Sequence, residues 1–367
     1  MTSPDGMTAF DALLWHAAGD TLTVPALREA VATTAGGGRD QLTVETVISD
    51  EPAPLDRIEP RGSAWERRQA GPVGLLKVDD EHGPFVLGCW PTPHPGVWHL
   101  VGSAPTTDPR WRKVERWVAN ASPLAVPVLL NHDDFADVGT ALSEHGEVEV
   151  SRMTARRRSD LSSVSRGWKA RSGSLRPSHH EVIVDAEAEG ASVRTLSLQV
   201  EDVLSLHLRR LAGATYYTGD FDLFDRLVLG RLATAASRRR DLLSGRARVV
   251  DEPPRRPITI RLPGPVLVDA DATGDVLSDL ERQRDVAVAV LHRNPYLHVV
   301  VTDYSDGSNF DVFVTSPDAI EVHPGFRASL GALSRLTQQL GERFEALEIA
   351  EAPPAEPVSL DDLLASG

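Results

Sequence analysis

The chain has 367 residues, of which 41% are hydrophobic and 25% are charged, and its formal net charge at pH 7 is −15. These values are typical of a soluble protein of two or three domains, and no apolar run is long enough to cross a bilayer, which excludes a membrane-spanning protein. The single cysteine, Cys89, excludes an internal disulfide and a cysteine-based zinc cage.

The first 62 residues predict two helices and one strand. The start, MTSPDGMTAF, lacks the basic and apolar parts of a signal peptide, so we expect a cytoplasmic protein that has no membrane contact. Apolar residues recur at helical spacing from Phe10, and a second helix is expected from Thr23, with Pro25 in its first turn. Residues 41–49 alternate like a strand, and the Pro-rich residues 50–62 predict a loop.

Residues 1–195 are predicted to form a mixed α/β domain. Strands are expected, in chain order, at GLLKV, PFVLGCW, VWHLVG, PLAVPVLLN and EVEVSRMTA. DPRWRKVERWVAN predicts a helix, because apolar residues follow Trp111 at helical spacing. A further helix, DDFADVGTALSEHG, is expected to be capped by Asp133 or Asp134. EVIVDAEAEGASVRTLSLQV is interpreted as a hairpin that turns at Glu189-Gly190.

A basic segment lies at residues 151–180, which we expect to be a loop of this first domain. Residues 151–261 carry 21 Arg and Lys against 13 Asp and Glu, whereas the rest of the chain carries 17 against 40. The cations are almost all Arg, a preference typical of high-GC bacterial genomes. The separation of charge predicts an electropositive region that meets nucleic acid, an acidic protein or the chain's own acidic parts.

The middle of the chain, residues 196–250, is predicted to be a helical connector. EDVLSLHLRRLAGA and GDFDLFDRLVLGRLATAASRRRDLLSG both carry acidic residues first and Arg later, an order that complements the helix dipole. Gly245 is expected to end the second of these helices.

Residues 256–350 are predicted to form an α+β domain. A long helix from Phe326 is expected to pack on an antiparallel sheet, and Asp306-Gly307 predicts the turn of a hairpin. Residues 351–367 predict a flexible tail. The predicted fold class is therefore α+β, with a mixed α/β N-terminal domain, a helical middle and a C-terminal antiparallel sheet packed by a long helix.

No stretch of the sequence identifies an active site or a metal site. TDYSDGSNFD has Thr302 and Tyr304 at positions where a calcium loop needs its first ligands, and His94, His99 and His132 lack the spacing of a zinc site. There is no G-x-S-x-G turn and no recognisable phosphate-binding glycine loop. We therefore expect no metal, no cofactor and no catalytic residue, and an enzyme without a recognisable motif remains an alternative.

The favoured function is that of a non-enzymatic accessory protein that binds the phosphate backbone of DNA or RNA. Arg and Lys neutralise phosphates, Ser hydroxyls add hydrogen bonds, and a Trp ring stacks on an unpaired base. The predicted binding residues all come from the basic segment and the end of the helical middle: Arg152, Arg156, Arg157, Arg158, Arg166, Trp168, Lys169, Arg171, Arg176, Arg238, Arg239 and Arg240.

The other main interpretation is a protein–protein adaptor or scaffold subunit of a cytoplasmic complex. Its basic centre would then receive an acidic protein partner or another copy of the same chain, and the SLDDLL tail would dock as a short helix in a groove. The sequence leaves open the pathway, the oligomeric state and the choice between DNA, RNA and protein.

Overall fold

A computed structural model describes residues 7–16, 23–35, 41–49, 54–157, 161–169, 176–253, 255–293 and 296–353. The chain separates into two compact units, and each unit contains an antiparallel sheet. Unit 1 comprises residues 1–245 and 329–347, and unit 2 comprises residues 246–328 and 348–367. Helices combined with antiparallel sheets confirm the predicted α+β class.

The helices are numbered along the whole chain. They are α1 (Ala9–His16), α2 (Val24–Ala35), α3 (Pro109–Ala121), α4 (His132–Ser143), α5 (His179–Ala188), α6 (Phe221–Leu223), α7 (Gly230–Leu243), α8 (Ala270–Glu281) and α9 (Leu330–Arg343). A 3₁₀ turn spans Pro54–Arg57, and a π-helical turn, Phe224–Leu229, joins α6 to α7. Among the described residues, no helix has both the length and the apolar character that a bilayer span requires.

Unit 1 is built on a large antiparallel sheet. Its strands are β1 (Leu42–Ile48), β2 (Ala64–Ala70), β3 (Val73–Asp79), β4 (Phe85–Pro91), β5 (Val97–Gly102), β6 (Val126–Pro127), β7 (Val148–Arg157), β8 (Ser163–Gly167), β9 (Ala191–Val200), β10 (Leu204–Arg209) and β11 (Gly213–Gly219). The order across the sheet is β2-β3-β4-β5-β1-β11-β10-β9-β7-β8, and β6 pairs with β1. Strands β2 and β8 therefore lie at opposite edges.

Helix α3 packs on one face of strands β3 to β5 and forms a hydrophobic core there. The helix that the spacing from Trp111 predicts is confirmed, and Asp108 caps it by accepting a hydrogen bond from a backbone N–H of the first turn. The ring of Trp117 stacks on Phe85 with 6.1 Å between the ring centroids. This apolar cover extends over only the first half of the sheet.

From Thr195 of β9 onward and throughout β10, side chains alternate between half-exposed and buried. The buried set is apolar and packs under helices of unit 1, as the contacts of the Tyr216 ring with Phe221 and Phe224 illustrate. Because successive side chains of a strand point to opposite faces, the half-exposed set lies on the other face of the sheet. That second face carries the candidate site.

The prediction of a helix over residues 201–214 is wrong, because this segment contains β10 and the first two residues of β11. Leu204 and Leu208 stand four residues apart, as on a helix face, but Leu206 between them is buried as well. The period is therefore two rather than 3.6, and β10 pairs on both sides, with β9 and β11. The second predicted helix is confirmed by α7, after which Gly245 adopts a positive φ of 60°.

The hairpin predicted to turn at Glu189-Gly190 is also wrong, because its first half is helix α5. Ser178 and Glu181 form a capping box that starts this helix, and Gly190, with a φ of 65°, follows its end. The strand predicted at residues 123–131 shrinks to β6, since Pro123 and Pro127 cannot donate ladder hydrogen bonds. Helix α4 is confirmed, but its cap is Asn131 rather than either predicted Asp.

Unit 2 contains a second antiparallel sheet. Its strands are β12 (Ile258–Arg261), β13 (Val286–His292), β14 (Leu297–Asp303), β15 (Asn309–Ser316), β16 (Ala319–Pro324) and β17 (Glu348–Glu351), in the order β13-β14-β15-β16-β12-β17. The predicted hairpin at Asp306-Gly307 is confirmed, and Gly307 has a φ of 76°. Helix α9 groups with unit 1. The prediction that it packs on the C-terminal sheet concerns the relation of the two units and stays a prediction.

Candidate functional site

The basic segment is more regular than a loop. Arg152, Arg156 and Arg157 lie on β7, and Arg166 lies on β8, so that much of the segment is a hairpin. Trp168 and Lys169 follow β8 directly, and Arg176 precedes α5. Arg238, Arg239 and Arg240 lie on α7. Arg158, Arg171 and residues 354–367 of the predicted tail lie outside the described residues.

Five of the eight predicted arginines that the structure describes are paired with carboxylates of the same unit. The pairs are Arg156 with Glu345 at 3.4 Å, Arg166 with Glu189, Arg176 with Glu149 at 3.6 Å, Arg238 with Asp134 at 2.9 Å and Arg240 with Asp241 at 3.7 Å. Arg239 also has an interaction within the protein. Ion pairs within unit 1 and the dipole of α7 therefore account for much of the positive charge that the sequence concentrates here.

Three predicted cations have no ion pair with a carboxylate in the part of the chain that the structure describes. They are Arg152, Arg157 and Lys169, and all three are exposed. Arg157 lies on the same face of β7 as Ala155, because alternate side chains of a strand share a face. Its charge, after the hydrogen bond from Arg166, helps to hold the pKa of Glu189 below its usual value. Only Arg152 lies among other polar side chains on the opposite face of the sheet.

Arg152 belongs to a row of residues that runs across four strands. It stands opposite Ser197, Ser197 stands opposite His207, and His207 stands opposite Thr215. Directly opposed residues in antiparallel strands share a face, so these four side chains are neighbours. We call this face of β7, β9, β10 and β11 the polar face. Its side chains are Arg152, Thr154, Thr195, Ser197, His207, Arg209, Thr215 and Tyr217, of which Thr215 is buried.

Hydrogen bonds between side chains order the polar face. The hydroxyl of Ser197 lies 2.9 Å from Nδ1 of His207, and the hydroxyls of Thr154 and Thr195 lie 2.6 Å apart. Burial lowers the pKa of His207 to about 4, and the charges of Arg209 and Arg152 add to this effect. His207 is therefore a neutral hydrogen-bonding group near pH 7.

A β-bulge determines which way Arg152 points. Val150 pairs with Leu198 and Arg152 pairs with Ser197, so Ser151 is an extra residue in β7. Without it, the alternation from Val150 would bury Arg152 and expose Met153. With it, Met153 is buried and Arg152 is exposed. The spacing Val148, Val150, Met153 is the sequence signal of this bulge.

A second bulge places Tyr217 on the polar face. Tyr216 pairs with Leu206 and Thr218 pairs with Ser205, which leaves Tyr217 as the extra residue of β11. Its ring is 36% exposed, in contrast to that of Tyr216, which is fully buried. Burial raises the pKa of Tyr217, and the positive charges of Arg152 and Arg209 oppose that rise. Both guanidinium groups therefore act on the Tyr217 hydroxyl.

The polar face ends where α3 begins to cover the sheet. At this boundary Arg209 donates to Glu115 of α3 at 2.7 Å, and its guanidinium lies 5.8 Å from the centroid of the Trp111 ring. Glu45 is buried beside them, and its Oε2 atom has no hydrogen-bond partner in the described part of the chain. Burial raises the pKa of Glu45 to about 7, and the charge of Arg209 opposes that rise.

One group of potential metal ligands occurs in the described ranges, at the turn between β3 and β4. It consists of Asp80, Glu81 and His82. Lys113 donates to Asp80 at 2.6 Å, and Glu81 and His82 are exposed. A lysine bonded to the central carboxylate competes with any cation there, so this group is better explained as a charged surface turn.

Comparisons with known proteins add no family to this description. No protein-family model matches the chain, and no curated protein has a similar sequence.

Sequence reasoning identified Arg152 but missed its neighbours His207, Arg209 and Tyr217. All three fall between residues 201 and 219, most of which the sequence predicts to be helical. The alternation Leu204, Leu206, Leu208 was the signal that would have placed His207 and Arg209 on the opposite face of a strand.

Proposed function

We propose that the protein is a cytoplasmic, non-enzymatic accessory protein that binds the phosphate backbone of nucleic acid through the polar face. The observation that carries the proposal is the position of Arg152. It is the one residue of the predicted binding set that combines exposure, the absence of an ion pair in the described ranges, and a place on the polar face. An unpaired Arg beside hydroxyl groups suits a phosphate, which accepts hydrogen bonds from both.

The neighbours of Arg152 support an anionic ligand. Thr154 and Thr195 share one hydrogen bond, so one of their two hydroxyl protons is left as a donor for a ligand. His207 is neutral, so phosphate binding there requires no proton uptake at pH 7. Two carboxylates near this surface are paired with arginines, Glu115 with Arg209 and Glu149 with Arg176, and burial raises the pKa of a third, Glu45, to about 7, so that it is only partly ionised at pH 7. They therefore repel a phosphate less than free carboxylates would.

The same geometry gives little support to an enzyme. The Ser197–His207 pair resembles a nucleophile with its base, but it lies within a regular ladder between β9 and β10, without the strained turn that exposes a catalytic serine. Burial also makes His207 a weak base, because its pKa falls to about 4. A binding surface is the simpler use of these groups.

Replacing Arg152 by Glu is expected to weaken oligonucleotide binding about tenfold or more at low salt, because the change removes one phosphate contact and adds repulsion. The measurement is fluorescence anisotropy of a labelled 20-nucleotide DNA or RNA across a series of salt concentrations. The slope of log affinity against log salt should fall by about one in the variant.

Arg61→Glu is the matched control. Arg61 is exposed in the loop before β2, at the opposite edge of the same sheet, and the substitution makes the same change in net charge. Equal losses in both variants would mean that only overall charge matters. No retardation or anisotropy change with micromolar wild-type protein would refute the proposal.

The adaptor interpretation remains the second candidate, and edge strand β2 favours it. Trp65 on this strand is 43% exposed, and the guanidinium of Arg67 lies 5.1 Å from the centroid of its ring. An exposed edge strand with an exposed aromatic side chain is a typical site for an added strand of a protein partner or a second copy. This candidate predicts that a pull-down recovers a stoichiometric protein partner, or that the protein forms a dimer. The substitution Trp65→Ala should abolish either association.

A further inference from the structure

The polar face is a flat sheet surface, which suits the stacking of unpaired bases better than it suits insertion into a groove of duplex DNA. Proteins read duplex DNA by inserting a helix or a two-stranded ribbon into the major groove. The polar face instead lies across the consecutive strands β7, β9, β10 and β11 in the middle of a sheet. Sheet surfaces of this kind bind unpaired nucleotides, whose bases stack on exposed aromatic rings.

Tyr217 supplies such a ring. It is the extra residue of a bulge, and among the described residues no other aromatic ring packs against it. Its neighbour Tyr216 is the opposite case, since it is buried between Phe221 and Phe224. Bulges redirect individual side chains, and they occur frequently next to functional sites.

The second requirement is a cation near the ring that can bind a phosphate of the same strand. Both Arg152 and Arg209 act electrostatically on the Tyr217 hydroxyl. Arg209 is held by Glu115 and by the carbonyl oxygen of Val44, which leaves Arg152 as the available phosphate ligand. Arg152 and Tyr217 lie on opposite sides of the half-buried His207, on β7 and β11.

Resting on the proposed function, we infer that the polar face binds single-stranded nucleic acid in preference to duplex. An unpaired base stacks on the ring of Tyr217, and a phosphate of the same strand is bound by Arg152 and by the hydroxyl groups beside it. A duplex offers the phosphate but not the stacking contact, because its bases are stacked on each other.

The test compares three forms of one 20-nucleotide sequence by anisotropy: the single strand, the duplex, and a single strand with an abasic site at every second position. The single strand is expected to bind about tenfold more tightly than either of the others. Tyr217→Ala should weaken binding of the intact single strand about tenfold, and Tyr217→Phe should keep it, because the ring rather than the hydroxyl makes the contact. Tyr304→Ala, at a 69% exposed Tyr of unit 2, is the control and should change nothing.

Each outcome separates this inference from the proposed function. If the duplex binds as tightly as the single strand and Arg152→Glu weakens both, the phosphate site stands and the preference for single strands is wrong. If Tyr217→Ala binds the intact strand like wild type while retaining the wild-type circular dichroism spectrum, stacking on Tyr217 is wrong. If no form binds wild-type protein, the proposed function itself is wrong.

Discussion

Glu345→Gln is expected to lower the free energy of unfolding of unit 1 by about 3 to 5 kcal/mol. Glu345 is fully buried, and its carboxylate is bonded to Arg210 and Arg194 and lies 3.4 Å from Arg156. Gln keeps the length of the side chain but cannot balance the charge of Arg210, which is itself buried. Urea unfolding followed by circular dichroism measures the loss.

Glu342→Gln provides the matched control for this prediction. Glu342 bonds to Arg194 at 3.1 Å, but 36% of its side chain is exposed. Ion pairs of that exposure contribute no more than about 1 kcal/mol. If the two variants lose equal stability, or if Glu345→Gln is as stable as wild type, the buried carboxylate does not hold the three arginines as described.

Glu45→Gln, in contrast to Glu345→Gln, is expected to raise the free energy of unfolding at alkaline pH. Burial raises the pKa of Glu45 from 4.5 to about 7, so the folded state favours the protonated form. The stability that the protonated Glu45 side chain contributes to the folded state is fully present below pH 4.5 and is lost as the pH rises through 7. At pH 8 the wild-type carboxylate therefore costs about 3 kcal/mol, which the neutral Gln avoids.

The measurement is the free energy of unfolding of wild type and variant at pH 4.5 and pH 8. The gain from Glu45→Gln should appear at pH 8 and largely vanish at pH 4.5. Glu66→Gln, at an exposed position of β2, is the control and should give the same small difference at both pH values. A variant that is less stable than wild type at pH 8 would show that Glu45 is ionised and stabilised by Arg209 in the folded state.

Local periodicity was sufficient to predict the α+β class and elements such as α3 and α7. It failed where the spacing of the apolar residues fits both a helix and a strand. Leu204 and Leu208 are four positions apart, a spacing that places them on one face of a helix and also on one face of a strand. The acidic start and Arg-rich end of this segment then favoured the helix, although Arg209 bonds to Glu115 rather than to helix carbonyl groups.

The candidate site was less predictable than the fold, because its geometry depends on long-range pairs and on bulges. Arg156 and Glu345 are separated by 189 positions, so local charge counts could not reveal that this arginine is already bonded. Arg152 and Arg157 look alike in the sequence, but the Ser151 bulge and the alternation that follows it place them on opposite faces. Composition was therefore sufficient to locate the basic region. The register of the strands determines which cation of that region lies on the polar face.

Hydroxyl-radical footprinting with and without a single-stranded oligonucleotide tests the central claim most directly, because it reports the solvent exposure of individual side chains. The binding proposal predicts that oxidation of Tyr217 falls when the oligonucleotide is added, while oxidation of Trp65 and Tyr304, which are 43% and 69% exposed, stays constant. Unchanged oxidation of Tyr217 at saturating oligonucleotide, or protection of Trp65 instead, would contradict a nucleic-acid site on the polar face.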